Sequence, residues 1–173
     1  PEEVIKIFKS NKNTESNTAS FKASNQNAIE LQNGTLLHAF LESLGDLNNP
    51  DFSMIEDYDK INPFGIYGKK ISQIAINFLN SDLIKKYKSF DTYHEFPYYD
   101  DELKSQGFID LLLVNKAEKM AIIIDFKTKD ISNEHYPKQL GIYKQNVLKI
   151  LGNDFNVNAY LYSINDNKFE KVC

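Results

Sequence analysis

The sequence predicts an α/β or α+β fold in which a mixed central sheet is flanked by helices. Apolar residues recur at helical spacing over 34–46 and 69–89. From residue 90 onward they alternate or form the short runs typical of strands. One further helical pattern, at 134–151, separates two of the strand segments, so that a single layered domain around one sheet is expected.

The N-terminal segment differs in composition from the rest of the chain. Residues 9–28 are rich in Asn, Ser, Thr and Lys and have little apolar surface to bury, which predicts a linker or poorly ordered segment over 1–33. A domain is predicted over 34–173. Its first helix, 34–46, has four apolar residues on one face, and Gly45 is a typical helix stop.

The remaining elements follow from the same patterns. Prolines and glycines interrupt residues 46–68, which are predicted to form an irregular connection. A helix is expected over 69–80, and Ser81 can cap another that begins there. Strands are expected at 90–99, 107–114, 119–127, 156–164 and 166–172. Because a helix joins the third and fourth strands, those two are expected to be parallel.

Three charged residues lie against the most apolar strands. Asp110 precedes the run LLLV, Asp125 follows III, and Lys127 comes two residues later. Side chains alternate along a strand, so Asp125 and Lys127 project from the same face. Burying an unpaired carboxylate is costly, which indicates a partner or a metal ion.

The hairpin register decides whether the two aspartates meet. If Val114 pairs with Lys119, Ile123 lies opposite Asp110, and Asp125 is its diagonal neighbour on the same face, about 7–8 Å away. Two carboxylates at that spacing suit Mg²⁺ or Mn²⁺, and the nearby lysine suits the hydrolysis of a phosphodiester. The alternative is an Asp–Lys ion pair at a strand end, without a metal.

Composition excludes several classes of protein. Cys173 is the single cysteine, which excludes a disulfide framework and an iron–sulfur cluster built from this chain. All 20 basic residues are lysines and the net charge is −4, so there is no general basic surface and no guanidinium for phosphate. No apolar run reaches the ~20 residues of a membrane span, and a cytoplasmic protein without membrane partners is expected.

Asp110 and the stretch Asp125–Phe126–Lys127 resemble the D…(D/E)-x-K signature of the PD-(D/E)XK nucleases. Three further stretches are similar to the RecB/AddA-type nuclease domains of that superfamily: GTLLHAFLE around His38, GFIDLLLV with IIIDFKTK, and YPKQLGIYKQ. All occur in the family's order. The resemblance implies a restriction-endonuclease-like core over 34–173.

The resemblance implies a role for each matched residue. His38, Asp110 and Asp125 would bind Mg²⁺, which Mn²⁺ could replace, together with the main-chain carbonyl of Phe126. Lys127 would act on the attacking water or the scissile phosphate.

Supporting roles are implied for three further residues. Gln139 and Tyr143 match the family's Q-x-x-x-Y spacing and would brace Lys127 or contact the DNA backbone. Glu95, in HEFPYY, resembles a glutamate of the AddA proteins, with a supporting role.

The implied function is metal-dependent, exonuclease-like cleavage of DNA in double-strand-break repair and recombination. The substrate would be single-stranded DNA or DNA ends. The implied partners are helicase domains of the same longer polypeptide and a second subunit. Two alternatives remain open: a catalytically silent PD-(D/E)XK module that binds DNA or acts as a scaffold, and a stand-alone exonuclease.

Overall fold

The fold was analysed in a computed structural model. The structure describes residues 15–102, 104–128, 131 and 135–173, and within those ranges it describes the side chains of residues 28, 29 and 31 onward. Two compact units divide the chain, Pro1–Asn33 and Gly34–Cys173. The sheet and the candidate site belong to the second unit.

Five helices and five strands are formed by the described residues. The helices are α1 (Glu15–Ser43), α2 (Ile55–Ile61), α3 (Ile71–Leu79), α4 (Asp82–Tyr87) and α5 (His135–Leu151). The strands are β1 (Asp91–Asp100), β2 (Ser105–Asn115), β3 (Met120–Lys127), β4 (Asn156–Ser163) and β5 (Lys168–Lys171).

The strands form one mixed sheet in the order β1-β2-β3-β4-β5. β1, β2 and β3 pair antiparallel, β3 and β4 pair parallel, and β4 and β5 pair antiparallel. The parallel pair is the one that α5 connects, as its position between two strand patterns predicted. The mixed α/β sheet flanked by helices is confirmed, and it is compatible with a restriction-endonuclease-like core.

Helices cover both faces of the sheet, which explains why β3 is buried over Ala121–Phe126. On one face, apolar residues of α1 to α4 pack against Leu111, Leu113 and Ile124. On the other face, α5 packs against Leu112 and Ile123, among others. Alternate residues of the same strand therefore enter two different cores, and the apolar runs in β2 and β3 follow from this.

The observed hairpin register differs from the predicted one. Asn115 pairs with Met120, and Val114 pairs with Ala121 rather than with Lys119. The turn differs from the predicted one because the Asn115 side chain accepts a hydrogen bond from the Glu118 N–H and Lys119 adopts a φ of +50°. The shift is two residues, an even number, so the shift by itself moves no side chain to the other face.

Two segments predicted to lack regular structure contain helices. Residues 15–33 belong to α1, although their composition predicted a linker; residues 1–14, for which the same prediction was made, lie outside the described residues. The connection 46–68 contains α2, whose Ile55 is buried. In α2 the apolar anchors are few, so the helical period is hard to detect in so short a segment. None of the helices in the described ranges combines the length and apolarity required to cross a bilayer.

Two predicted helix boundaries are confirmed. The Ser81 hydroxyl accepts a hydrogen bond from the Ile84 N–H at the start of α4. Helix α1 ends at Ser43, and Gly45 follows with a φ of +62° while its N–H bonds to the Glu42 carbonyl. The Gly45 carbonyl contacts Nε2 of His94 on β1 at 2.8 Å, so this turn also connects α1 to the sheet.

We expect Gly45→Ala to lower the free energy of unfolding by about 1 kcal/mol, because alanine is strained in the left-handed region. Gly141→Ala, within α5, is the matched control and is expected to raise it by roughly 0.5–1 kcal/mol. A Cβ atom would meet no atom within 4 Å at either position, so the difference isolates backbone conformation. Urea denaturation measures both, and equal effects of the two substitutions would contradict the assignment of the strain to Gly45.

Candidate active site

The candidate site begins where β1 and β2 change the face to which their side chains point. Leu111 packs with the helices α1 to α4, whereas Ile109, two residues earlier, packs with α5. Residues two apart on a regular strand share a face, so the alternation is reversed at Asp110. Glu95 lies across from it, between the pairs His94–Leu111 and Phe96–Ile109, and has a φ of +47°. This strained residue allows the reversal in β1.

The reversal brings two carboxylates to His38 of α1. Nδ1 of His38 lies 3.2 Å from Oε1 of Glu95 and 3.3 Å from Oδ1 of Asp110. Each of the three residues offers one ligand atom, and these three atoms lie within 4.8 Å of one another. Among the described residues, this is the group found that could hold a metal ion. The Asp110 side chain is 8% exposed, but those of His38 and Glu95 are 36% and 32% exposed, so an ion can enter from solvent.

The second oxygen of Asp110 connects β2 to β3. Asp110 Oδ2 accepts a hydrogen bond of 2.7 Å from the main-chain N–H of Phe126. The β2–β3 pairing ends at Leu111 and Ile124, just before the two aspartates would face each other. The carboxylate therefore satisfies a backbone donor at the point where the strands separate, and this buried bond keeps Asp110 oriented.

On the other side of the site, Lys127 is held by two elements. Its Nζ lies 2.6 Å from Oδ2 of Asp125 and donates a long hydrogen bond of 3.5 Å to Oε1 of Gln139 on α5. The Gln139 amide donates in turn to the Tyr143 hydroxyl at 2.6 Å. The side chain of Lys127 is 19% exposed. Its ammonium is thus largely removed from water and oriented by a chain of polar contacts.

Tyr136 was not predicted to be part of the site. Nζ of Lys127 lies 4.5 Å from the centre of the Tyr136 ring, within the range of a cation–π interaction. The signal was present in the sequence, since Tyr136, Gln139 and Tyr143 are spaced three and four residues apart and so share one face of a helix. Without the fold, however, nothing in the sequence indicated that this face is turned towards Lys127.

The electrostatics of the site raise the pKa of both buried aspartates. Burial raises the pKa of Asp110 to about 7, and the negative charge of Asp125 adds to the rise, while His38, the Phe126 N–H and Lys127 oppose it. Burial also raises the pKa of Asp125, against the lowering effect of Lys127 and His38. A divalent cation bound there would offset the burial of the two carboxylates and their repulsion, and would so favour their ionised forms.

The structure places all the predicted site residues in one region, but it groups them differently. His38 and Asp110 lie together, as predicted for metal ligands, and Glu95 completes their group, although only a supporting role was predicted for it. Asp125 lies beside Lys127, outside that group of three. Phe126 contacts the site through its N–H group, which bonds to Asp110. The ligand set remains a prediction.

Fold and site together define an α/β domain with a histidine–carboxylate group suited to a divalent cation, beside a carboxylate–lysine pair. No profile of a known protein family matches the chain. The chain is 25% identical to an ATP-dependent helicase/nuclease subunit of Clostridium botulinum (strain Alaska E43 / Type E3) over 207 aligned positions, which cover 93% of this chain. The aligned region spans 16% of the length of that protein. This similarity supports a relationship to the RecB/AddA-type nucleases.

The raised pKa of Asp110 predicts a pH-dependent effect of Asp110→Asn on stability. A carboxyl whose pKa is raised by folding contributes stability below its ordinary pKa of 3.8 and loses it as the pH rises through about 7. Without divalent ions, the substitution should therefore raise the free energy of unfolding at pH 8 by on the order of 2 kcal/mol, and by much less at pH 5. Urea denaturation in EDTA measures this. An equal change at both pH values would show that the charge of Asp110 is not what destabilises the folded protein.

Proposed function

We propose that this domain is a metal-dependent DNA nuclease of the PD-(D/E)XK type that hydrolyses phosphodiester bonds. The observation that carries the proposal is the position of the ion pair Asp125–Lys127 next to the group of His38, Glu95 and Asp110. One part of the site can hold a cation, and the other presents an ammonium to the same space. Phosphodiester hydrolysis needs both, since negative charge develops on the phosphate oxygens.

The residues present fit a divalent cation such as Mg²⁺ or Mn²⁺. One imidazole nitrogen and carboxylate oxygens are ligands that both ions accept, Mn²⁺ the nitrogen more readily than Mg²⁺. Oδ2 of Asp125 is buried and lies 2.6 Å from Nζ of Lys127. A carboxylate oxygen has two lone pairs, so this oxygen could contact the ammonium and also serve as a further ligand. His38, Glu95, Asp110 and Asp125 would hold the cation, which supplies Lewis-acid stabilisation of the phosphate when bound.

Lys127 has the contacts expected of the residue that orients the attacking water or neutralises the phosphate. Gln139 and Tyr136 limit the positions of its ammonium, so that less conformational freedom is lost when substrate binds. Burial and the charges of both aspartates raise the pKa of Tyr143, which therefore stays neutral and supports Gln139 as a hydrogen-bond partner. Tyr143 and Gln139 are positioning residues in this proposal and do not touch the scissile bond.

The similarity to a helicase/nuclease subunit supports a wider proposal. We infer that the domain acts within a longer polypeptide that contains helicase domains, and with a second subunit, in the processing of DNA ends during repair and recombination. A net charge of −4 and the absence of arginine fit a module to which DNA is delivered by other domains, because the chain has little general attraction for phosphate. A silent DNA-binding or scaffold module would need none of the proposed ligands, whereas the chain has a residue at every matched position.

Cleavage of labelled single- and double-stranded DNA in Mg²⁺, Mn²⁺ or EDTA tests the proposal. Cutting should require a divalent ion, and Lys127→Met and Asp125→Asn should each reduce its rate by about 100-fold or more, because a preorganised charge is removed from the transition state. Lys119→Met is the control. Lys119 is an exposed lysine of the β2–β3 turn that pairs with Asp154, and its replacement should have no effect on cleavage. Metal binding without cleavage in any condition would favour the silent module.

A direct metal titration tests the position of Glu95. If its carboxylate is a ligand or orients His38, Glu95→Gln should weaken Mn²⁺ binding by about 10- to 100-fold, the usual effect of removing such a group. Glu42→Gln, on α1 one turn beyond His38, is the matched control. Isothermal titration calorimetry with MnCl₂ gives the dissociation constants. Unchanged affinity in the Glu95 variant would exclude Glu95 from the metal site.

A further inference from the structure

An uncovered patch of sheet lies next to the candidate metal site. It consists of Pro97 and Tyr99 on β1 and Gln106 and Phe108 on β2, which we call the exposed platform. All four side chains are exposed, and the two aromatic ones strongly so, Tyr99 by 55% and Phe108 by 57%. None of the four carries a charge. Two large rings that remain in water within one charge-free patch are typical of a binding surface.

The platform faces the same side of the sheet as Asp110. Its strand neighbours point the other way: the Tyr98 ring packs on Tyr143 of α5 at a centroid distance of 5.0 Å, and Ile109 belongs to the core under α5. Alternation therefore turns Phe108 to the side opposite α5. The contact of Asp110 with His38 of α1 places the Asp110 carboxylate on that side too, two residues and about 7 Å along the strand from Phe108. The nearer ring, that of Phe108, is thus the next side chain along that side of β2 from Asp110, where the phosphate would bind.

The arrangement of the rings suits separate bases. Phe108 pairs directly with Pro97, and Tyr99 pairs with Gln106, so the two rings are diagonal neighbours about 7–8 Å apart. Each ring can take a different base, and Gln106 and the Tyr99 hydroxyl can bond to base edges. Stacking on aromatic rings tolerates any base, which suits an enzyme that cuts without sequence preference.

We propose that the exposed platform stacks the bases of an unpaired DNA strand whose phosphate lies at His38, Glu95 and Asp110. This inference rests on the proposed nuclease function and names the surface that would hold the bases of its substrate. The bases of a duplex are already stacked on each other and cannot lie on Phe108 or Tyr99 without being pulled out. The platform therefore favours single strands over duplexes at this site.

A tryptophan placed on the platform reports stacking directly. The chain contains no tryptophan, so Phe108→Trp introduces a single indole. In a Lys127→Met background, which keeps the DNA intact, an oligothymidylate of about twelve nucleotides should quench its fluorescence on binding in Mg²⁺. A duplex of the same length should not. Absence of quenching at concentrations where anisotropy shows the oligonucleotide bound would overturn the proposal.

Loss of each ring should weaken binding of the single strand. Phe108→Leu and Tyr99→Leu are expected to raise the dissociation constant for oligothymidylate about tenfold each, and to leave duplex binding unchanged. Phe64→Leu is the control, because Phe64 is 86% exposed outside the sheet and should not affect either ligand. Equal losses of affinity for single strand and duplex, or no loss of affinity at all, would overturn the proposed role of the platform.

Failure of the platform and failure of the nuclease give different results. Wild-type affinity in both leucine variants, with metal-dependent cutting intact, overturns the platform and leaves the nuclease in place. Ring-dependent binding of oligothymidylate by a protein that neither binds metal nor cuts would support the platform and overturn the proposed catalysis. No binding of oligothymidylate by the otherwise wild-type chain in the Lys127→Met background would overturn the platform outright.

Discussion

The buried carboxylates at the separation of β2 and β3 are the constraint on which the rest of the site depends. Asp110 and Asp125 are 7% and 2% exposed, and they are close enough for the charge of Asp125 to oppose the ionisation of Asp110. A core strand end would be more stable with apolar residues there. Each of the partners, His38, the Phe126 N–H and Lys127, offsets part of that cost. The proposed cation would offset much of the remainder.

Each layer of the fold contributes a different component to this arrangement. The long helix α1 brings the imidazole of His38 against one face of the sheet, and α5 brings Gln139 and Tyr136 against the other. The two faces meet where β1 and β2 reverse their alternation. Because both helices are held by large apolar cores, the geometry of the polar groups is determined by packing, and the polar contacts themselves need contribute little to stability.

Sequence patterns predicted most of the fold because the burial of both sheet faces leaves a strong signal in the chain. The runs LLLV and IIID, the parallel crossover through α5, and the helix stop at Gly45 are all confirmed. The register was two residues off because turn geometry, which depends on the Asn115 side chain and the φ of Lys119, is not visible in apolar periodicity. Helix α2 was missed for a different reason, since a helix of seven residues has too few apolar positions to show a period.

The sequence by itself determined which residues are available for the proposed chemistry. The order of His38, Asp110, Asp125 and Lys127 along the chain is a property of the residues alone, and so is their resemblance to a nuclease family. Tertiary structure alone decided that Glu95 joins His38 and Asp110. That contact depends on a residue with positive φ, which reverses the side-chain alternation expected of a regular strand. The alternation of apolar and polar residues along the chain predicts regular strands only. It therefore could not predict the irregular backbone at Glu95, on which the contact with His38 depends.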